Sequence, residues 1–206
     1  VVDAEKKLIG RICVNDILDF VRETSEKMIM YQVGFVEGED RFSGVWKGAR
    51  NRWLWFAINL ASAFIATRVI SIFEGTIVQL IALATLMPVV AASGGNIGNQ
   101  AGTLIIRALA LNQITQSNVN QFYLKEMGIS IINGLIWGGI MALLVGYIYQ
   151  NYAMGIVLMI AMIFNLLLAA FFGISIPLIR QKYNLDPAIG THVLITFFAD
   201  SFGFLL

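Results

Sequence analysis

The chain has 206 residues, of which 58% are hydrophobic and only 13% charged, and its mean hydropathy is +0.75. A soluble domain carries roughly 25% charged residues, so the composition excludes an ordinary water-soluble protein and points to a lipid bilayer as partner. Fourteen basic residues against 13 acidic ones leave a formal charge of +1, which gives no hint of nucleic-acid binding.

Charge is concentrated before Trp53; beyond it only Arg68, Glu74, Arg107, Lys125, Glu126, Arg180, Lys182, Asp186 and Asp200 remain. The segment before Trp53 therefore reads as soluble. Residues 1–3 and 8–14 read as two short strands around a polar turn, and Asn15 as the cap of a helix on which Ile17, Leu18 and Val21 recur at helical spacing. That pattern is the end of something larger, and a start at Val1 without a signal-peptide pattern is expected of a fragment. The lone Cys13 cannot close an intramolecular disulfide and reads as a small buried residue. After a loop with Gly34, Gly38 and Gly44, the basic stretch 45–52 is expected to lie as a short helix on the membrane surface.

Five apolar windows follow that are long enough for about 30 Å of hydrocarbon: 53–73, 76–111, 123–149, 153–180 and 188–206. The second exceeds one simple span and contains Pro88, Gly94, Gly95 and Gly98, so a bent or broken helix is expected there. The fifth is barely long enough to cross. Lys and Arg sit before the first span, around the second connection between apolar runs (Arg107, Lys125) and before the fifth (Arg180, Lys182), whereas the connections near Glu74 and Gln150 hold none. The positive-inside rule then puts the N-terminus in the cytoplasm and the C-terminus outside a multi-pass protein of the cell membrane. Trp46, Trp53 and Trp55 cluster where the first span enters, as interfacial anchors do.

Two stretches carry polar groups inside the apolar runs. In 88–102, small residues alternate with Asn96, Asn99 and Gln100, which suits close helix packing and also supplies neutral oxygens. In the last run His192, Thr196 and Asp200 recur every four residues and line one helix face. A carboxylate in hydrocarbon is costly unless it faces water or a partner, so Asp200 reads as an ion site, with a structural pairing to Arg68 or Arg107 as the bland alternative. Asp186 followed by Pro187 fits a helix start, Asp186 capping and Pro187 in the first turn. Asn133 and Asn165 read as packing contacts. No nucleophile with a nearby base, nucleotide loop or metal-ligand spacing of His and Cys is present, so the chain does not read as an enzyme.

The run from Pro88 to Gln100, with Gly94-Gly95-Asn96-Ile97-Gly98-Asn99-Gln100 at its end and Arg107-Ala108-Leu109-Ala110-Leu111 after it, resembles the signature of the MgtE-type magnesium transporters. Asn133-Gly134, Asn165-Leu166-Leu167 and Leu185-Asp186-Pro187-Ala188 stand in similar places, and residues 1–21 resemble the closing elements of a CBS domain. The resemblance implies an all-α membrane protein with five transmembrane helices per subunit, a homodimer with a pore at the two-fold axis, and a short α/β remnant of a cytoplasmic CBS domain. Its implied domains are the CBS remnant (1–30), a connecting segment with an interfacial helix (31–52) and the ion-conducting domain (53–206). It implies passive movement of hydrated Mg²⁺ into the cytoplasm, with Asp200 as pore carboxylate, Asp186 at the cytoplasmic entrance and Thr196 offering oxygen to the ion's water shell. Asn96, Asn99, Gln100 and His192 are the candidate lining residues. Glu23 and Glu26 resemble the family's regulatory acidic run, although Lys27 replaces an acid there. Two alternatives stay open: a carrier of Mn²⁺, Co²⁺ or Ni²⁺ in which His192 gives nitrogen ligation, and a non-conducting sensor or assembly subunit.

Overall fold

The computed structural model describes residues 13–32, 44–75, 81–115 and 117–205. Among these the chain is all-helical: α1 (Val14–Gln32), α2 (Val45–Ile72), α3 (Ile81–Ala110), α4 (Val119–Ile148), α5 (Tyr152–Lys182) and α6 (Thr191–Gly203). The strands expected in 1–3 and 8–12, the glycine loop at 34–38 and the start of the second span at 76–80 lie outside the described residues. Of the expected second strand, Val14 opens α1 instead, and Asp16 Oδ2 accepts the Cys13 N–H at 2.8 Å. An acid in the first turn thus caps this helix from inside, in place of Asn15. Cys13 is exposed rather than buried.

α2, α4 and α5 are each long and apolar enough to cross a membrane. Two expected interruptions are absent. The basic stretch 45–52 is the opening of α2, continuous with the apolar span behind it; Gly48 in its first turn is tolerated and no proline stands between Lys47 and Trp55. α3 runs unbroken through Pro88 and the glycines after it. Pro88 withholds one N–H and crowds the carbonyl of Ala84, yet packing on both sides of α3 keeps the helix continuous.

Each of α3, α4 and α5 ends the same way. Asn112, Gln150 and Asn184 have φ of 52°, 52° and 55°, and the next N–H reaches back five residues: Gln113 to Ala108 O, Asn151 to Gly146 O and Leu185 to Arg180 O, at 2.9 to 3.1 Å. These are Schellman closures, which satisfy the last carbonyls and turn the chain sharply. The Asn151 side chain then caps α5 by accepting the Met154 N–H.

α5 is the central helix, with α4 on one side and α3 on another; α6 lies against α3 and α5, and α2 joins through α6. One apolar cluster gathers Leu86, Val90, Val145, Leu158 and Met162, and a second gathers Ala101, Ile105, Leu109 and Ile174. Between them α3 and α5 meet almost backbone to backbone: a Cβ on Gly173 would meet the Gly98 carbonyl and stand 3.1 Å from Ala101 Cβ.

Candidate functional site: a polar stripe on the last helix

α6 starts at Gly190, which has φ +63° and serves as its N-cap. No other residue fits: the ring of Trp55 from α2 occupies the space a Cβ would take, and the backbone is in the region L side chains avoid. The Gly190 N–H donates to the carbonyl of Tyr31 in α1 at 2.9 Å, so this corner joins three elements. Asp186 does not cap α6. Its Oδ1 accepts the Ala188 N–H at 2.8 Å, closing a turn, while Arg180 Nε donates to the Asp186 carbonyl at 2.9 Å. The helix expected from residue 188 begins at Thr191 because left-handed Gly190 interrupts any helical path through Pro187.

His192, Thr196 and Asp200 lie half-buried along one stripe of α6, while Thr191, Ile195, Ala199 and Gly203 form its buried face. Ile195 is the knob of that face: a Cβ on Gly98 or on Gly102 would stand 2.6 Å from its methyl carbons. Phe198 and Phe202 stack on Phe172 of α5, at 4.5 and 5.3 Å between ring centroids. Rotation of α6 is thus fixed from two sides, which fixes where its polar stripe points.

The structure joins His192 to α3. Its Nε2 is 3.2 Å from Thr103 Oγ1, whose own hydrogen goes to the Asn99 carbonyl at 2.9 Å. With that hydrogen committed, Nε2 is the donor and Nδ1 is left for another partner. Thr103 is not among the residues expected from the sequence, although it stands four residues from Asn99 and seven from Asn96. Asn96 and Gln100 are exposed on α3, and Asn99 is half-buried with an unpartnered Oδ1; no hydrogen bond joins these three side chains to α6 among the described residues.

The Asp200 carboxylate makes no hydrogen bond or ion pair among the described residues, while its backbone carbonyl accepts the Phe204 N–H at 3.0 Å. Neither arginine considered as its partner reaches it: Arg68 lies over the Phe64 ring at 5.0 Å, and Arg107 is exposed near the end of α3. Behind α6, fully buried Asn165 of α5 donates from Nδ2 to the Val90 carbonyl at 2.7 Å and packs against Gly94 and Gly203. It ties α3, α5 and α6 together, more than the packing contact its sequence position suggested. On α1, Glu23 pairs with Lys27 at 3.1 Å and Glu26 is exposed.

Residues 87–206, which contain the whole of this polar stripe, match the family described as MgtE, divalent cation transporter. The chain belongs to the MgtE family. Across its full length it is 32% identical to the magnesium transporter MgtE of Thermus thermophilus and 30% identical to that of Bacillus subtilis; over 97% of its length it is 26% identical to that of Enterococcus faecalis. It spans about half the length of these curated relatives, 44 to 46%. Family membership and the apolar helices together make it a multi-pass membrane protein.

Proposed function

We propose that this chain is the membrane part of a passive Mg²⁺ pathway, with Asp200 as the carboxylate that attracts the ion. The observation that carries the reading is Asp200 itself: a carboxylate on an apolar helix of a membrane protein, half-buried and without a protein partner among the described residues. Such a group persists where it meets water or an ion.

In this reading two subunits face each other across a two-fold axis, five helices each, and two Asp200 carboxylates oppose one hydrated Mg²⁺. Their summed charge matches the ion's, and because Mg²⁺ dehydrates reluctantly, contacts through its water shell hold it weakly enough to leave. Thr196 offers oxygen to that shell one turn nearer the cytoplasm, and His192 lies one turn further. Asn96, Asn99 and Gln100 line the same path, and Asp186 stands at the cytoplasmic entrance. The N-terminus is cytoplasmic, with 1–30 the remnant of a CBS domain, 31–52 its connection and 53–206 the conducting part. Pairing of Glu23 with Lys27 takes one acid out of the regulatory run.

Cells that depend on this protein for Mg²⁺ uptake test the reading. Asp200→Asn abolishes their growth at low external Mg²⁺ while the amount of protein in the membrane is unchanged; normal growth with the variant contradicts it. If growth instead follows external Mn²⁺, Co²⁺ or Ni²⁺ and is lost with His192→Asn, the transition-metal reading holds.

A further inference from the structure

α4 meets α5 through a stripe repeating every four residues: Glu126, Ser130, Gly134 and Gly138, all buried. The two glycines explain themselves, since a Cβ on Gly134 would stand 2.7 Å from Ile163 and one on Gly138 3.2 Å from Met159. The two polar members do not. Glu126 is 5% exposed and Ser130 is fully buried, yet Glu126 Oε1 and Ser130 Oγ have no hydrogen-bond partner among the described residues. No Lys or Arg pairs with Glu126 among those residues either. One turn before, Tyr123 Oη meets Ser175 Oγ of α5 at 2.8 Å, so positions 123, 126 and 130 bring hydroxyl, carboxylate and hydroxyl to one face.

Ser130 does not satisfy itself on its own preceding turn, as buried helical serines do, and it does not reach the carboxylate. Two buried oxygens on the same face, without a bond to each other, are left for a further species to satisfy. A carboxyl away from water is either neutralised by a proton or, as a carboxylate, compensated by a positive charge. One carboxylate matches one positive charge, and the remaining donors are neutral oxygens, the ligand set of a hard cation. Mg²⁺ fits poorly, because it keeps several waters and this interface is walled by packed apolar residues.

We propose that Glu126, Ser130 and the Tyr123–Ser175 pair form a monovalent-cation site for Na⁺ between α4 and α5, separate from the Asp200 stripe. The site is independent of the ion assigned to Asp200, and it ties the two antiparallel helices together only when filled.

Thermal unfolding of the whole protein in nanodiscs, in NaCl against choline chloride at constant ionic strength and without Mg²⁺, tests the site. Na⁺ raises Tm saturably by about 5 °C; the rise disappears in Glu126→Gln and is kept in Asp200→Asn. Ser130→Ala raises the Na⁺ concentration at half-effect about tenfold, and this second variant decides the matter if Glu126→Gln does not fold. Equal Tm in the two salts for the unaltered protein overturns the proposal, as does a Tm that follows pH but not Na⁺. A Na⁺ effect that survives in folded Glu126→Gln overturns it too, since the ion then binds elsewhere.

Discussion

Asn165 shows what a single amide does in a bundle of small residues. Its Nδ2 holds the Val90 carbonyl, its body fills the space left by Gly94 and Gly203, and its Oδ1 is buried without a partner among the described residues. Truncation removes an interhelical hydrogen bond and opens a hole at the meeting point of three helices. Asn165→Ala is therefore expected to cost about 1–3 kcal/mol, read as a lower Tm in detergent; an unchanged Tm would show that the amide merely occupies space. The sequence marked Asn165 as polar in an apolar run, and marked His192, Thr196 and Asp200 as one stripe, because helical spacing is a local property. It did not reveal that Asn165 holds Val90 or that His192 meets Thr103, since those pairs lie 75 and 89 residues apart and depend on how helices slide past one another.

Among the elements, apolar windows located α2 to α6 well, and the misjudged places were local conflicts. Pro88 and the glycines of α3 argue for a break, but Gly94 and Gly98 serve close packing, Gly95 faces open space, and the helix stays continuous. At the start of α6 the Asp-Pro pair looked like a cap, whereas Gly190, with its positive φ against Trp55, decides where the helix begins. The glycines separate into two kinds that a matched pair of substitutions distinguishes. Gly173→Ala places a methyl against the Gly98 carbonyl, and overpacking there costs about 1–3 kcal/mol or more. Gly139→Ala meets nothing within 4 Å and is expected to stabilise by up to about 1 kcal/mol through helix propensity. Chemical or thermal unfolding of both in the same detergent checks the contrast, and equal effects would mean that α3 and α5 do not approach this closely.

At the level of the whole molecule, α2 joins the bundle mainly through α6 among the described residues, and Trp53, Leu54, Phe56, Leu60 and Phe64 are exposed along it. Exposed apolar faces of this extent suit lipid or a second subunit. The positive-inside reading assigns Lys47, Arg50 and Arg52 to the cytoplasmic end of α2, and the lone, exposed Cys13 on α1 gives a direct check. A membrane-impermeant maleimide is expected to label Cys13 in inside-out vesicles and leave intact cells unlabelled; labelling of intact cells would reverse the topology. Membrane class and the polar stripe on the last helix were legible because lipid imposes strong, local rules on composition, whereas of the five expected spans three, α2, α4 and α5, are helices long and apolar enough to cross among the described residues. Subunit arrangement and the identity of the ion are collective properties that no window of sequence encodes.

The central claim is that Asp200 draws Mg²⁺ through the membrane, and it is tested most directly by Mg²⁺ flux into liposomes that contain the purified protein. The unaltered chain is expected to give Mg²⁺ entry down its gradient, and Asp200→Asn, reconstituted at the same density and in the same oligomeric state, to fall to the rate of empty vesicles. Undiminished flux through the variant, or none through the folded unaltered protein, would contradict the account.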